Sequence, residues 1–302
     1  MAAIAPYMER LILDGGLWDP RPLPPYEYSG EPLTKLERFF VRINGPIDAQ
    51  EIETPIRALP ADLDGYRAAI VSDTHLNRRL ELGEEILRAL MSVKPDLICL
   101  LGDLVDAGSS SAEPYKPFLR ALAGIAPCAA VMGNNDYVCG HLGALRAYCA
   151  DAGIPMLEDE SRTIKRGCAS VRIIGLQDAN AFAFHVPVKR EAGSPGVSVI
   201  KASLDPSMID ILLIHRPHRA ARTLGMGGFA LALSGHAHGG QWRLPNGRGL
   251  FAPGQGLFPK YTSGLYRIGG GSLIVGRGLG NHEFPVRINN RPHIPVAILR
   301  RV

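Results

Sequence analysis

Four short clusters and one isolated histidine carry side chains suited to metal chemistry. They are Asp73-Thr74-His75, Gly102-Asp103, Gly133-Asn134-Asn135-Asp136 and Gly235-His236-Ala237-His238, with His215 standing alone before the last. No single piece is diagnostic. Gly-Asp is a common turn, and Gly-Asn-Asn-Asp reads equally well as a loop with Asx turns. In order, however, they supply Asp73, His75, Asp103, Asn134, His215, His236 and His238. Seven oxygen and imidazole donors exceed the needs of one ion and suit two divalent ions sharing a carboxylate. Two ions about 3.5–4 Å apart clamp the oxygens of an in-line displacement at phosphorus. A donor set without thiolate suits Mn, Fe, Zn or Co better than Ca or Mg.

Such a site needs elements that bring distant stretches together, and each cluster ends an apolar run. Arg67–Asp73, Asp96–Asp103, Cys128–Gly133, Ile209–His215 and Phe229–Gly235 read as buried strands. Between them, Leu82, Ile86, Leu90 and Val93 recur at helical spacing, as does a segment over about 115–123. Leu142, Leu145, Cys149 and Ala152 mark a further helix, with Gly153 as its stop. A weaker helix is expected near Arg219–Leu224 and late strands at Val171–Gly175, Ser272–Val275 and Val296–Leu299. Continuous apolar strands alternating with helices predict an α/β fold of two sheets packed face to face, with helices outside. Ligands of such sheets gather beyond the carboxyl ends of the strands. Before this core, Phe39, Val41 and Ile43 alternate, as do Ile52, Thr54 and Ile56, around Asn44-Gly45-Pro46. That rhythm predicts an antiparallel strand pair at a sheet edge. Residues 1–35 are proline-rich and read as an irregular arm, with Met8–Leu13 as a short apolar stretch that packs on the body or touches a membrane. Residues 36–302 read as one domain.

Composition narrows the partners. The 302 residues carry a net charge of +4 without any run of five basic residues, so a nucleic-acid groove is not indicated. The mild bias suits an anionic substrate or an anionic lipid surface. Cys99, Cys128, Cys139, Cys149 and Cys168 form no Cys-x-x-Cys motif and read as thiols of a reducing compartment. No secretory signal and no transmembrane-length apolar stretch is visible. The cytoplasm is the expected location, with peripheral membrane contact left open. Whether Leu250, Phe251, Leu257, Phe258 and Tyr261 pack inside or face lipid is also open, with packing preferred.

The ordered clusters resemble the calcineurin-like metallophosphoesterase superfamily, whose pattern is D-x-H, G-D, G-N-H-[DE], H and G-H-x-H. The resemblance runs from about Gly65 to the C-terminus and implies a four-layer αββα sandwich of two mixed sheets. It implies one metal on Asp73, His75, Asp103 and His238, and another on Asp103, Asn134, His215 and His236, with a bridging hydroxide attacking phosphorus in line. Mn is the first expectation. The stretches Gly239–Pro245, Gly256–Tyr266 and Arg277–Gly280 further resemble the YkuE/YaeI-type subgroup, which is similar to enzymes that cleave UDP-diacylglucosamine; a lipid head group therefore stays in play beside small phosphate-containing molecules.

One departure bears on the reaction. Many members have His where this chain has Asn135, and an amide is no general acid near neutral pH. Asp136 then has no imidazole to orient. Unactivated monoesters suffer most from this loss, so the sequence favours a phosphodiester or pyrophosphate substrate over a monoester. Gly280-Asn281-His282-Glu283 spells the missing motif out of order, and His282 is a candidate substitute acid. Arg78, Arg79 and Arg216 follow expected ligands and are candidates for phosphate binding, as are Tyr137 and His141 for lining the pocket. His185, His218 and His293 have no motif around them and read as surface residues. A non-catalytic scaffold is the competing class, and a complete donor set argues against it.

Overall fold

The computed structural model describes residues 34–79, 81–178, 208–281 and 286–302. Most of the expected arm, His185 and His282 lie outside the described residues, as does the side chain of Arg78. Five strands form one sheet in the order β1 (Asp48–Ile56), β13 (His293–Arg301), β2 (Arg67–Val71), β3 (Leu97–Leu100) and β4 (Cys128–Ala130). Six form the other: β11 (Gly264–Ile268), β12 (Gly271–Val275), β8 (Leu231–Ser234), β7 (Ile209–Leu213), β6 (Ala169–Gly175) and β5 (Glu160–Arg166). Both are mixed. Strands β2, β3 and β4 run parallel, as do β6, β7, β8 and β12, while β13 opposes β2, β5 opposes β6 and β11 opposes β12.

The layering follows from period-two alternation in strands buried on both faces. Ala68, Ile70, Leu97 and Cys99 point between the sheets, where they meet Ile173, Ile211, Leu213, Leu233 and Ile274. Their neighbours Ala69, Val71, Ile98 and Leu100 point outward onto three amphipathic helices: α2 (Glu81–Val93), α3 (Tyr115–Ile125) and α5 (Leu142–Asp151). On the far side Ile174, Leu212, Leu273 and Val275 pack against α6 (Pro217–Gly225). A short helix, α4 (Asn134–Val138), follows β4 directly. The result is the αββα sandwich the sequence predicts.

The expected hairpin at its start is corrected. Residues Lys35–Asn44 form a helix, α1, opened by a capping box. Thr34 Oγ1 accepts from Glu37 N–H and the Glu37 carboxylate accepts from Thr34 N–H. Alternation at Phe39, Val41 and Ile43 reflects a helix whose apolar residues fall on two faces. β1 is an edge strand, as expected, but runs parallel to β13, with Ile52 beside Ala297.

A candidate dinuclear metal centre

Register places the donors. Val71 pairs with Leu100 and Leu100 with Ala130, and Leu213 pairs with Leu233 and Ser234 with Val275. From β2, β3, β4, β7 and β8 the chain reaches a donor within two to four residues, whereas β12 leads into the turn at 276–280. The loops that leave the two sheets meet at that end. The backbone N–H of His236 donates to Asp73 Oδ1 and Oδ2, each at 3.0 Å. A Cβ on Gly235 would lie 2.6 Å from Ser72 Cβ and 2.7 Å from Asp73 Oδ2, and one on Gly133 would lie 2.2 Å from Asp103 Oδ1. Only glycine lets these backbones approach so closely.

Two groups of donors result. Asp73, His75 and His238 form one, and Asp103, His215 and His236 the other; all six are buried. Asn134 joins the second, its Oδ1 3.2 Å from His215 Nε2. His215 Nε2 also lies 3.1 Å from His236 Nδ1 and 3.4 Å from Asp103 Oδ2. In the first group His238 Nε2 is 3.6 Å from Asp73 Oδ1. Ligands about 2.1 Å from a common ion in tetrahedral or octahedral geometry stand about 3.0–3.4 Å apart. The second group matches that edge length and the first comes close, so the residues fit two divalent ions.

The ring nitrogens are set by their outer partners. His215 Nδ1 is 2.6 Å from Leu101 O, which fixes the proton there and turns Nε2 to the site. His75 Nδ1 lies 2.8 Å from Asp106 Oδ1, with both side chains buried. Arg287 Nη2 lies 3.3 Å from His238 Nδ1, and this buried arginine also donates to Gly280 O, Arg277 O and Asn281 Oδ1. Charge balance favours cations. Burial raises the Asp73 pKa, whereas Asp103, despite burial, is held well below the usual carboxylate range by His215 first and then His75. Burial alone would lower His75 and His215, but carboxylates outweigh it, Asp106 first for His75 and Asp103 first for His215, whose pKa rises to about 10. Burial, with Arg216 and His215 nearby, holds His236 neutral.

The remaining expected site residues fare differently. Asn135 is buried and turned toward the donors: its N–H donates to Asp103 Oδ1 at 2.8 Å and its Nδ2 to Asp103 Oδ2 at 2.7 Å. Asp136 faces backbone, accepting from Leu104, Val105 and Gly133 N–H at 2.9–3.0 Å, so it ties the loop after β3 to the loop after β4. Arg216 sits beside His215, its Nε donating to the buried Asp178 at 2.7 Å. Tyr137 is in the core with its hydroxyl 3.3 Å from Glu158. Arg79 pairs with Glu85, and His141 Nε2 meets Ser109 O at 2.8 Å. Two histidines read as surface residues are not. His293 is 1% exposed between Gln50 and Arg277 N–H. His218 is half-buried at the start of α6, and burial together with Arg216 and Arg219 pushes its pKa down to about 4. In the tail, Phe251 is buried whereas Leu257 and Phe258 are exposed.

Sequence reasoning missed Asp106, Arg287, Asp178 and Tyr115. The signal for Asp106 was its place three residues after Asp103, among apolar neighbours. Tyr115 is fully buried, and its hydroxyl accepts from Leu76 N–H at 2.7 Å and contacts Leu104 O and Asn77 Oδ1, steadying the segments that follow His75 and Asp103. Nothing in its helical setting distinguishes it from an ordinary core tyrosine.

The model of the calcineurin-like phosphoesterase superfamily domain matches residues 67–264. The uncharacterized metallophosphoesterase YkuE of Bacillus subtilis is 28% identical over 248 residues, covering 80% of this chain and 82% of its own. The phosphodiesterase YaeI of Escherichia coli is 28% identical over 241 residues, covering 78% of this chain and 82% of its own. Among solved structures, TT1561 of Thermus thermophilus aligns with a TM-score of 0.47 and 14% identity over 70% of this chain and 89% of that one. Since the matched stretch runs from β2 into β11 and holds all seven donors, the chain belongs to the calcineurin-like phosphoesterase superfamily.

Proposed function

We propose that this hydrolase cleaves phosphodiester or pyrophosphate bonds in preference to phosphomonoesters. The observation that carries the preference is Asn135. Its amide is spent on Asp103, at 2.7 Å, in the position where many family members place an imidazole. It orients a carboxylate and has no proton to give a departing alkoxide near neutral pH. Substrates whose leaving group departs without protonation lose least.

Asp73, His75, Asp103 and His238 would hold one divalent ion, and Asp103, Asn134, His215 and His236 the other. Such ions supply Lewis-acid charge at the phosphoryl group and acidify water in the site. The chain's own contribution is positional. Leu101 O and Asp106 aim two imidazoles, Asn135 aims the shared carboxylate, and Asp136 locks the two loops that carry Asp103 and Asn134. Mn is the first candidate for this mixed oxygen and imidazole set, with Fe, Zn or Co as alternatives. Arg216, next to His215, is the candidate for binding an anionic oxygen of the substrate. The YkuE/YaeI-type stretches Gly239–Pro245 and Arg277–Gly280 support placement in that subgroup. An apolar-walled cleft beside His75, lined by Phe40, Val41, Leu82 and Leu279, favours a phosphate carried on a partly apolar molecule, including a lipid head group.

The test compares bis-p-nitrophenyl phosphate with p-nitrophenyl phosphate in the presence of Mn. A higher kcat/KM on the diester is expected. Equal or higher efficiency on the monoester would overturn the preference, and no turnover with fewer than one bound ion per chain would restore the scaffold reading.

A further inference from the structure

Helix α1 carries apolar residues on two faces: Phe40 and Val41 turn inward, and a second set turns outward. Its inward face also holds Glu37 and Asn44, both buried. Glu37 is engaged by the capping box, while Asn44 Nδ2 donates to Arg287 O at 2.7 Å and its Oδ1 accepts from Asn290 N–H at 3.0 Å. The outward face carries Leu36, Phe39 and Ile43, which are 60%, 55% and 61% exposed. Their spacing of three and four residues aligns them in one stripe. Lys35, Arg38 and Arg42 are exposed on the same helix, and its only acid is the buried Glu37.

The inward face of the helix borders the metal centre. Phe40 and Val41 wall the cleft whose opposite side includes His75, Leu279 and Arg287. Asn290 bonds α1 and also donates to His238 O at 2.7 Å and Gln241 O at 3.0 Å. A second apolar tip is tied to the turn that carries His238. Leu257 and Phe258 are 74% and 58% exposed, the Arg248 guanidinium lies 5.9 Å from the Phe258 ring centre, and Lys260 is exposed nearby. Phe258 N–H bonds Leu250 O, and Leu250 N–H bonds Gly240 O in the turn that carries His238.

We propose that α1 docks this protein on an anionic lipid bilayer, inserting Leu36, Phe39 and Ile43 among the acyl chains while Lys35, Arg38 and Arg42 meet the head groups. An apolar stripe on a helix whose exposed charges are all cations is the composition of helices that lie in the membrane interface. A protein partner fits less well: three side chains on a ten-residue helix fall far short of the roughly 800 Å² per partner of a stable interface, and three exposed cations with no exposed acid on this helix disfavour a second copy of the same face. The proposal stands on α1 alone and not on the diester preference.

Cosedimentation of the full-length Mn-loaded protein tests it, with vesicles of phosphatidylcholine containing phosphatidylglycerol against phosphatidylcholine alone. Strong binding is expected only to the anionic vesicles. Loss of two charges in R38Q/R42Q weakens it about 25-fold, since each charge near an anionic surface is worth about fivefold. L36S/F39S/I43S weakens it by more than about 100-fold. In Phe39→Trp, vesicles shift the indole emission to the blue. Both multiple variants keep the wild-type melting temperature and the wild-type rate on a soluble diester, because none of these residues touches a metal donor. Sedimentation needs no turnover, so an inactive protein leaves this test intact. Wild type that ignores anionic vesicles, or a triple variant that binds them like wild type, would overturn the proposal. So would a wild-type dimer that the triple variant converts to monomer, which would give the stripe to a second copy.

Discussion

Replacing Asp106 should weaken one metal site and spare the other. Asp106 Oδ1 lies 2.8 Å from His75 Nδ1, and the two side chains are 6% and 0% exposed. A charge-assisted hydrogen bond of this kind contributes about 1.5–3 kcal/mol, or about 10- to 150-fold in an equilibrium constant. Outer carboxylate partners of metal-binding histidines are worth about 10- to 100-fold in affinity, which agrees. Asp106→Ala should therefore weaken the ion on Asp73, His75 and His238 by about 10- to 100-fold. The ion on Asp103, Asn134, His215 and His236 should move by less than about threefold, because His215 is oriented by the Leu101 carbonyl. Asp106→Asn keeps an acceptor oxygen and should fall between. Calorimetric titration of chelator-stripped protein with Mn resolves the two sites as two phases. Equal weakening of both phases, or of neither, would refute the assignment of Asp106 to one imidazole and with it the division of the donors into two groups.

Asn135→His should raise monoester turnover relative to diester turnover by at least about tenfold, since a placed general acid contributes about 10²–10⁴; an unchanged ratio would detach Asn135 from substrate choice. Gly235→Ala forces a Cβ against Ser72 and Asp73 and should cost about 1–3 kcal/mol in urea unfolding together with bound metal, measured by elemental analysis. Tyr115→Phe leaves the buried Leu76 N–H without its acceptor and should cost about 1–3 kcal/mol while kcat on a diester falls. Metal affinity should climb with pH. Carboxylates raise the pKa of His75, and that of His215 to about 10, so the cation-free protein keeps protons on those rings to higher pH than free imidazoles do. Binding displaces them, and affinity should rise about tenfold per pH unit for each proton released, until the rings are neutral in the free protein. A flat profile between pH 6 and about 8 would count against these nitrogens as ligands.

The five strand ends were legible because each combines an apolar run, buried on both faces, with an abrupt polar donor. The opening helix was not. Phe39, Val41 and Ile43 alternate because α1 exposes one apolar stripe and buries another, which defeats a rule built on one apolar face. Its readable sign was local: Thr34 followed three residues later by Glu37. Strand β5 escaped for the opposite reason, since Glu160–Arg166 is a largely solvated edge with Ile164 as its one large apolar residue. At the site, donor identity was readable whereas the outer partners were not. Asp106, Leu101 O and Arg287 act through distance and direction, and only the fold supplies those.

The backbone explains why so few residues make this centre. Asp73, His75, Asp103, His236 and His238 all adopt left-handed conformations, with φ of 51°, 41°, 51°, 64° and 45°. Such a conformation costs a non-glycine residue about 1–3 kcal/mol and persists only where surroundings over-determine it. They do so here. Asp73 N–H donates to Gly102 O at 2.9 Å, Gly280 N–H donates to Asp73 O at 2.7 Å, and the Asp73 carboxylate receives His236 N–H. Each tie joins stretches from different strands, so every bond that holds one strained donor also fixes the position of another. Local propensity favours glycine at these five positions, with asparagine, aspartate and histidine as the side chains that tolerate them best. The chain keeps aspartate and histidine there, and the strained turns aim their side chains back across the strand ends. Five positive-φ donors gathered at one set of strand ends mark the function, because strain of this kind persists where the surroundings hold it and clusters at working sites.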